Sequence, residues 1–383
     1  MENCPLILEK IKSIPDYRKG NAIRHVLSDI LMIGLLCILC NGNTYSAMYI
    51  FGRTHENLLK SFLQLPNGIP SQDTFEHVFA KLNPKTLSAT FSEWINELKE
   101  AAIQSGRLIV SIDGKTLCGS RRKEQKPIHV VTAFASELHL VLGELATDKK
   151  SNEITAIPKL LEMFCQKGMI ITIDAMGTQT EIAETIIEKQ ADYVFSVKEN
   201  QPNLYREVAN HLEYEVITEN KEELQELKDA GLYERTIEKG HGRIETRECF
   251  ICNDISNISV APNWKGFAGF GVILSKREVI GKNPTLSCEY FMYSLEDTSA
   301  TELLHLKRHH WAIENNLHWT LDVVFKEDDS RITIDNAPEN INIFRKQAMQ
   351  LLKDDDSFDA SMTAKRYRCS LDIAYALKVV GVK

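Results

Sequence analysis

Apolar positions recur at helical spacing from the start of the chain to about residue 105. Leu6, Ile7, Leu8 and Ile11 begin the pattern and a Pro15-Asp16 turn interrupts it. A long segment from about Ile23 to Cys40 follows, closed by Asn41-Gly42-Asn43. A further helix is predicted from about Tyr45 to Phe62. After the turn-rich stretch Leu65–Ser71, Ser71 opens a helix with Phe75, Val78, Phe79 and Leu82 on one face. Another helix, roughly Pro84–Ser105, ends before Gly106. The first hundred residues therefore predict an all-α module.

The period then shortens to that of strands. Leu108–Ile112, His129–Ala135 and Leu138–Ala146 are three consecutive strand candidates, the last two joined by a tight Ser136-Glu137 connection. A helix from about Ile154 to Gln166, a strand Met169–Ile173, a helix Thr180–Gln190 and a strand Tyr193–Val197 follow. The order βββαβαβ is that of an RNase H-like mixed α/β sheet, three antiparallel strands continued by parallel ones through crossover helices. A charged helix over Glu219–Ala230 comes next. Strand-like runs at Arg235–Phe250 (broken at Gly240-His241-Gly242), Phe267–Arg277 and Glu289–Ser294 then make roughly 200–295 a β-rich insertion. A long amphipathic helix from Ala300 to Val324, a helix from Pro338 to Lys353 and a basic element, Lys365–Arg368, close the chain. The expected division is a helical module at 1–105, a first part of the α/β core at 106–199, the insertion at 200–298, and core completion with C-terminal helices at 299–383.

Composition narrows the picture only in places. The chain has 383 residues, enough for two or three domains at roughly 150 residues each. The balance of 45 basic and 53 acidic side chains, net −8, argues against a general polybasic coat, so any nucleic-acid contact must come from local patches. The apolar run Ile30–Cys40 is shorter than the about 20 residues of a membrane span, and no membrane partner is expected. Met1-Glu2-Asn3-Cys4-Pro5 does not open a secretory leader, and nine cysteines without regular spacing fit reduced thiols; the expectation is a cytoplasmic protein. The pairs Cys37/Cys40 and Cys249/Cys252 have zinc-ligand spacing but fall in apolar runs, which reads as structural cysteine. No Gly-x-Gly-x-x-Gly follows a strand, which disfavours hydride chemistry.

Two Ile-rich runs end on a carboxylate: Ile109-Val110-Ser111-Ile112-Asp113-Gly114-Lys115 and Ile170-Ile171-Thr172-Ile173-Asp174. Either aspartate alone reads as a strand-end turn residue. Two strand-borne carboxylates joined by one from a helix make an oxygen-rich cage suited to Mg²⁺, and paired ions of that kind assist phosphodiester chemistry. Glu314, in Arg308-His309-His310-Trp311-Ala312-Ile313-Glu314-Asn315-Asn316-Leu317-His318-Trp319, is the best third candidate. On a helix His310, Glu314 and His318 share one face. A zinc site from those three is the alternative, one that leaves both aspartates unemployed.

These blocks resemble bacterial insertion-sequence transposases of the H-repeat-associated type, a branch of the DDE superfamily with an RNase H-like core. Ile112–Leu117, Lys150–Pro158, Ile173–Gly177, Glu238–Arg247, His310–Asn315 with Leu317-His318-Trp319, and Glu327–Arg331 carry the likeness in the core; Ile14–Gly20 and Leu65–Phe75 carry it in the helical module. The resemblance implies that Asp113, Asp174 and Glu314 are the DDE triad, catalytic and metal-binding at once. It also implies two Mg²⁺ (or Mn²⁺) ions, double-stranded DNA (element ends and target) as partner, a homodimer on DNA, and cleavage followed by strand transfer. Transposases of the wider group place a Tyr and an Arg before the glutamate and a basic residue after it; here Lys307 and His310 precede it and Leu321 follows. Candidate DNA contacts are Lys115; Arg121, Arg122 and Lys126 with Lys123 in a basic loop; His241, Arg243 and Arg247 in the insertion; and Arg308, His310 and His318 around the glutamate. Asp328, Asp329 and Arg331 read as structural, capping or paired near the core, with a fourth metal-proximal carboxylate as the alternative. The rival readings are an inactive or domesticated DNA-binding derivative and an RNase H-like nuclease without strand transfer.

Overall fold

The computed structural model describes residues 7–20, 23–105, 107–121, 127–147, 153–215, 221–240 and 242–382. Helices come first: α1 (Ile7–Ser13), α2 (Leu27–Leu39), α3 (Tyr45–Thr54), α4 (Glu56–Leu59), α5 (Gln72–Lys81) and α6 (Pro84–Ser105). Every residue of α2 is buried, so this helix is apolar all round because it has no solvent face. Its one carboxylate, Asp29, is kept in the core by accepting the Leu65 N–H at 2.8 Å. Thr44 and Ser71 cap α3 and α5 through the Ala47 and Thr74 N–H groups.

The chain then builds a nine-stranded sheet from β1 (Leu108–Thr116), β2 (His129–Ala135), β3 (Leu140–Thr147), β4 (Met169–Ile173), β5 (Asp192–Val197), β6 (Tyr233–Gly240), β7 (Arg243–Cys252), β8 (Gly269–Val279) and β9 (Thr285–Tyr293). The order is β3-β2-β1-β4-β5-β9-β8-β7-β6. The strands β1, β2 and β3 pair antiparallel, while β1–β4 and β4–β5 pair parallel. The parallel steps are made through α7 (Glu153–Phe164) and α8 (Thr180–Glu188). This is the RNase H-like topology that the βββαβαβ succession predicts. The β-rich segment does not form a sheet of its own: β9 pairs antiparallel with β5, so the insertion prolongs the core sheet. Two helices precede its strands, α9 (Pro202–Glu215) and α10 (Lys221–Asp229). The α9 helix is absent from the sequence expectation, although Leu204, Val208 and Leu212 bury one face at helical spacing.

Alternation gives the sheet two different faces. Val110, Ile112, Ile171, Ile173, Tyr193 and Phe195 point into a core shared with α7, α8 and α9. Ile109, Ile170 and Val194 point the other way, under α11 (Ala300–His310). The predicted helix Ala300–Val324 changes winding after Trp311. Ile313–His318 and Thr320–Val324 are π-helical, with the Trp319 N–H bonded to the Glu314 carbonyl. Then come α12 (Ala337–Asp354), α13 (Met362–Leu371) and α14 (Ile373–Val379). These share one apolar core with the N-terminal helices and the π segments. The basic element Lys365–Arg368 is partly internal: Arg366 is 1% exposed and donates to the Ile38 and Val324 carbonyls. Among the described residues no helix is long and apolar enough to cross a membrane. Cys37 and Cys249 are buried, and none of the described cysteines falls in a potential metal-holding group.

Candidate carboxylate site at the sheet edge

The parallel register pairs Ile112 with Ile173, so Asp113, still inside β1 and paired with Thr132 of β2, and Asp174, the first residue past β4, follow side by side on neighbouring strands. Period-two alternation puts Ser111, Asp113 and Lys115 on the face that α11 covers, with Thr172 and Asp174 beside them. Asp174 caps the short 3₁₀ turn Ala175–Gly177, its Oδ1 accepting the Met176 N–H at 3.1 Å and the Gly177 N–H at 3.4 Å. Behind the strand, on the opposite face, Gly114 makes room for a buried pair, His129 and Glu153, 2.5 Å apart. A Cβ at Gly114 would stand 2.5 Å from both side chains.

The helix above is bolted to the same strands by polar residues in otherwise apolar runs. Ser111 Oγ donates to the His309 carbonyl at 3.1 Å, and Thr172 Oγ1 is hydrogen-bonded to His310 Nδ1 at 3.1 Å. Lys307, 2% exposed, reaches Ser196 Oγ and Glu289 Oε1, each at 2.6 Å. These bonds fix where the following π turn begins. From it His318, 5% exposed, inserts Nδ1 between two carboxylates, 3.5 Å from Asp113 Oδ2 and 3.7 Å from Glu314 Oε2. Asp113, Glu314 and His318 thus offer ligand atoms that all lie within 4.8 Å of one another. Glu314 itself is more than half exposed.

Electrostatics single out the same spot. Burial pushes the Asp113 carboxyl up to about 6; His318 and the Gly114 N–H oppose this, while Glu314 and Asp174 add to it. The nearby His318 imidazole draws Glu314 below its ordinary value, against its partial burial. Burial, reinforced by Lys307, pushes His310 down to about 3, so its imidazole is neutral near pH 7. A carboxylate raised chiefly by burial, with two further carboxylates beside it, is a group short of positive charge. A hard divalent cation fits that donor set, with two oxygens from Asp113 and Glu314 and Asp174 adjacent.

The remaining candidate residues divide into groups. Arg121 is exposed; Arg122, Lys126 and His241 lie outside the described residues. Lys115 is 14% exposed and turned inward, paired with Asp322 and Glu327. His310 and His318 also point inward, toward Thr172 and the two carboxylates, because their helix face lies against the sheet. Arg243, Arg247, Arg277 and Arg308 gather on the α11 side of the sheet, where they share the carboxylates Glu238 and Glu245. Asp322 and Glu327 were not among the predicted site residues. Asp322 continues the four-residue stripe of His310, Glu314 and His318, and that repeat was the available signal. Trp311 and Trp319, 57% and 55% exposed, flank Glu314 on the outer side of the helix.

Comparison with known proteins points one way. A family model described as "Transposase DDE domain" matches residues 104–348, and a second, described as "DDE_Tnp_1-associated", matches residues 8–95. The H repeat-associated putative transposases YhhI and YbfD of Escherichia coli (strain K12) are similar to this chain. YhhI is 36% identical over 98% of this chain and 97% of its own length; YbfD is 38% identical over 64% of this chain and 94% of its own. Among solved structures, a piggyBac transposase synaptic complex with hairpin DNA covers 97% of this chain and 76% of its own, with 11% identity and a TM-score of 0.43. That structural likeness is too low to carry an argument.

Proposed function

This chain belongs to the transposase DDE domain family, and on that premise we propose that it cuts DNA at the ends of an insertion sequence and joins the freed 3′-OH to target DNA. Asp113, Asp174 and Glu314 are the residues that hold the divalent cations, two Mg²⁺ or Mn²⁺. The observation that carries this reading is the convergence of Asp113 and Glu314, from a strand and a π-helical turn 201 residues apart in sequence, within 4.8 Å of a shared histidine.

When bound, the cations supply activation of the attacking oxygen and charge stabilisation of the departing one. The chain's own residues do the rest. Asp113 and Asp174 are held in fixed relation by the β1–β4 register, so the cage is pre-formed on a rigid element. His318 holds Glu314 toward Asp113, and the Ser111, Thr172 and Lys307 bonds hold the helix that carries both. Trp311 and Trp319 offer ring faces on which bases at the element end stack. The arginine cluster around Glu238 and Glu245 offers a track for the phosphate backbone, together with Arg121. Two protomers pair two DNA ends, an extension that rests on the family alone; the placement in the cytoplasm rests on the irregularly spaced cysteines.

The test is a product assay on labelled element-end DNA with an unlabelled target. The expected result is a nick exposing a 3′-OH, then a joined product, both dependent on Mg²⁺ or Mn²⁺ and abolished by EDTA. Nicking without joining would support a nuclease instead; DNA binding with neither product would support an inactive derivative.

A further inference from the structure

The strongest feature that the proposed chemistry leaves unused is a second charged cluster one step further along the same strand. Ser111, Asp113 and Lys115 occupy one face of β1, and the overlying helix answers each in turn. His309 meets Ser111, His318 meets Asp113, and Asp322 meets Lys115. Lys115 Nζ also bonds Glu327, which is 3% exposed and lies just beyond the second π segment. Glu327 also lies near the buried Arg345 of α12, where burial lowers the Arg345 pKa and the Glu327 charge opposes it. The Glu327 N–H closes back onto the Leu321 carbonyl, and the Ser330 N–H onto the Glu327 carbonyl. The residues after β1 are packed tightly onto this turn, since a Cβ at Gly119 would stand 2.2 Å from the Ser330 carbonyl oxygen.

We infer that Lys115 is a positioning residue: its ion pairs with Asp322 and Glu327 clamp the C-terminal end of the π-helical segment to β1 and so set the separation between Asp113 and Glu314. The inference rests on the proposed roles of those two carboxylates and deepens that reading. A lysine two residues after a metal-binding aspartate would otherwise be a phosphate contact. The geometry argues against that, because Nζ is bonded to two carboxylates of the protein, Asp322 and Glu327, and the side chain is 14% exposed. The winding gives the clamp its purpose. Glu314 and His318 lie in a π-helical stretch, where the register of each turn is not fixed by the usual i→i+4 ladder and needs an external anchor at its end. Lys307 and His310 anchor the start, and Lys115 anchors the finish.

The experiment uses the full-length protein with Lys115→Gln, Lys115→Arg and Asp322→Asn, each first shown to be folded by circular dichroism and a cooperative melt. Three quantities are read on element-end DNA: single-turnover cleavage rate at saturating DNA, the Mg²⁺ concentration for half-maximal rate, and DNA affinity as a function of salt. A clamp predicts that Lys115→Gln and Asp322→Asn each slow cleavage by roughly 10-fold to 100-fold, as loss of an outer-shell orienting contact does, and raise the Mg²⁺ requirement. It also predicts that Lys115→Arg recovers most of the rate and that DNA affinity and its salt slope stay at the wild-type value. Should Lys115→Gln fail to fold, Asp322→Asn, whose side chain is 31% exposed, carries the same test. The inference is overturned by wild-type cleavage in Asp322→Asn, or by a loss in Lys115→Gln confined to DNA affinity with a salt slope smaller by about one, the signature of a lost phosphate contact. Asp113→Asn serves as the control. If that variant cleaves normally the catalytic assignment itself is wrong; if it is inactive while Asp322→Asn is unimpaired, only the clamp fails.

Discussion

Asp113 carries a charge that the folded chain alone does not balance. Burial and the neighbouring Glu314 and Asp174 work against its ionised form, and His318 and the Gly114 N–H offset only part of this. A bound cation would supply the missing charge and stabilise the fold by mass action. In thermal melts Mg²⁺ should therefore raise the wild-type midpoint and leave that of Asp113→Asn unmoved; an equal rise in both would put the cation elsewhere. Glu339 provides a pH test away from the site. Burial and the nearby Glu144 raise it from 4.5 to about 7, with Lys346 and Lys85 opposing. Its folded-state value is above the unfolded one, so its stabilising contribution is complete below about pH 4.5 and is lost as pH rises through about 7, roughly 3 kcal/mol in all. Glu339→Gln should abolish that decline in a denaturant series run across this range. Of the single residues, Asp113, expected at the end of its strand, stands inside β1, which runs on to Thr116, whereas Asp174 was legible as the carboxylate just past β4. The fate of Lys115 was not. Its partners lie 207 and 212 residues away, and nothing local to Ile112-Asp113-Gly114-Lys115 announces them. Arg243, Arg247 and Arg308 read as free cations for the same reason, since strand register and helix docking decide which carboxylates they meet.

The strands β1 to β5 followed directly from period-two runs and their order. The helix bearing Glu314 did so only in part. A four-residue spacing overshoots the 3.6-residue α turn by about 40° at each step, so His310, Glu314, His318 and Asp322 would drift around a regular helix. The wider π turn cancels that drift and keeps the stripe over β1. Apolar periodicity does not reveal such a turn, because Ile313, Leu317 and Leu321 are buried under either winding. The packing of β1 on its other face is equally demanding. Gly114→Ala would drive a methyl group into the His129–Glu153 pair at 2.5 Å. It is expected to cost about 1–3 kcal/mol, the usual range for overpacking, measurable as a lowered denaturation midpoint. Because the displaced backbone bears Asp113, cleavage should fall as well. An unchanged midpoint would mean that the pair yields without moving the strand.

At the scale of the molecule, the helices read from the first hundred residues share one apolar core with the C-terminal helices. Phe344 of α12 packs edge-on against Phe79 at 5.3 Å, Asn340 donates to the Phe79 and Leu82 carbonyls, and Arg366 closes onto Ile38. Those contacts join the two ends of the chain, a relation that no local pattern encodes. A fragment beginning at residue 106 would expose this core, and is expected to lack a cooperative melt that the full chain shows. The same helical body supports the π segments from behind while the sheet supports them from below, so the position of Glu314 over Asp113 is a property of the whole fold. The most direct test of that arrangement is the single-turnover rate of strand cleavage at the element end in Mg²⁺. It should be measured for the wild type and for Asp113→Asn, Asp174→Asn and Glu314→Gln at saturating DNA. The account predicts a loss of at least about a hundredfold in each variant with DNA affinity retained; cleavage at the wild-type rate in any of the three would contradict it.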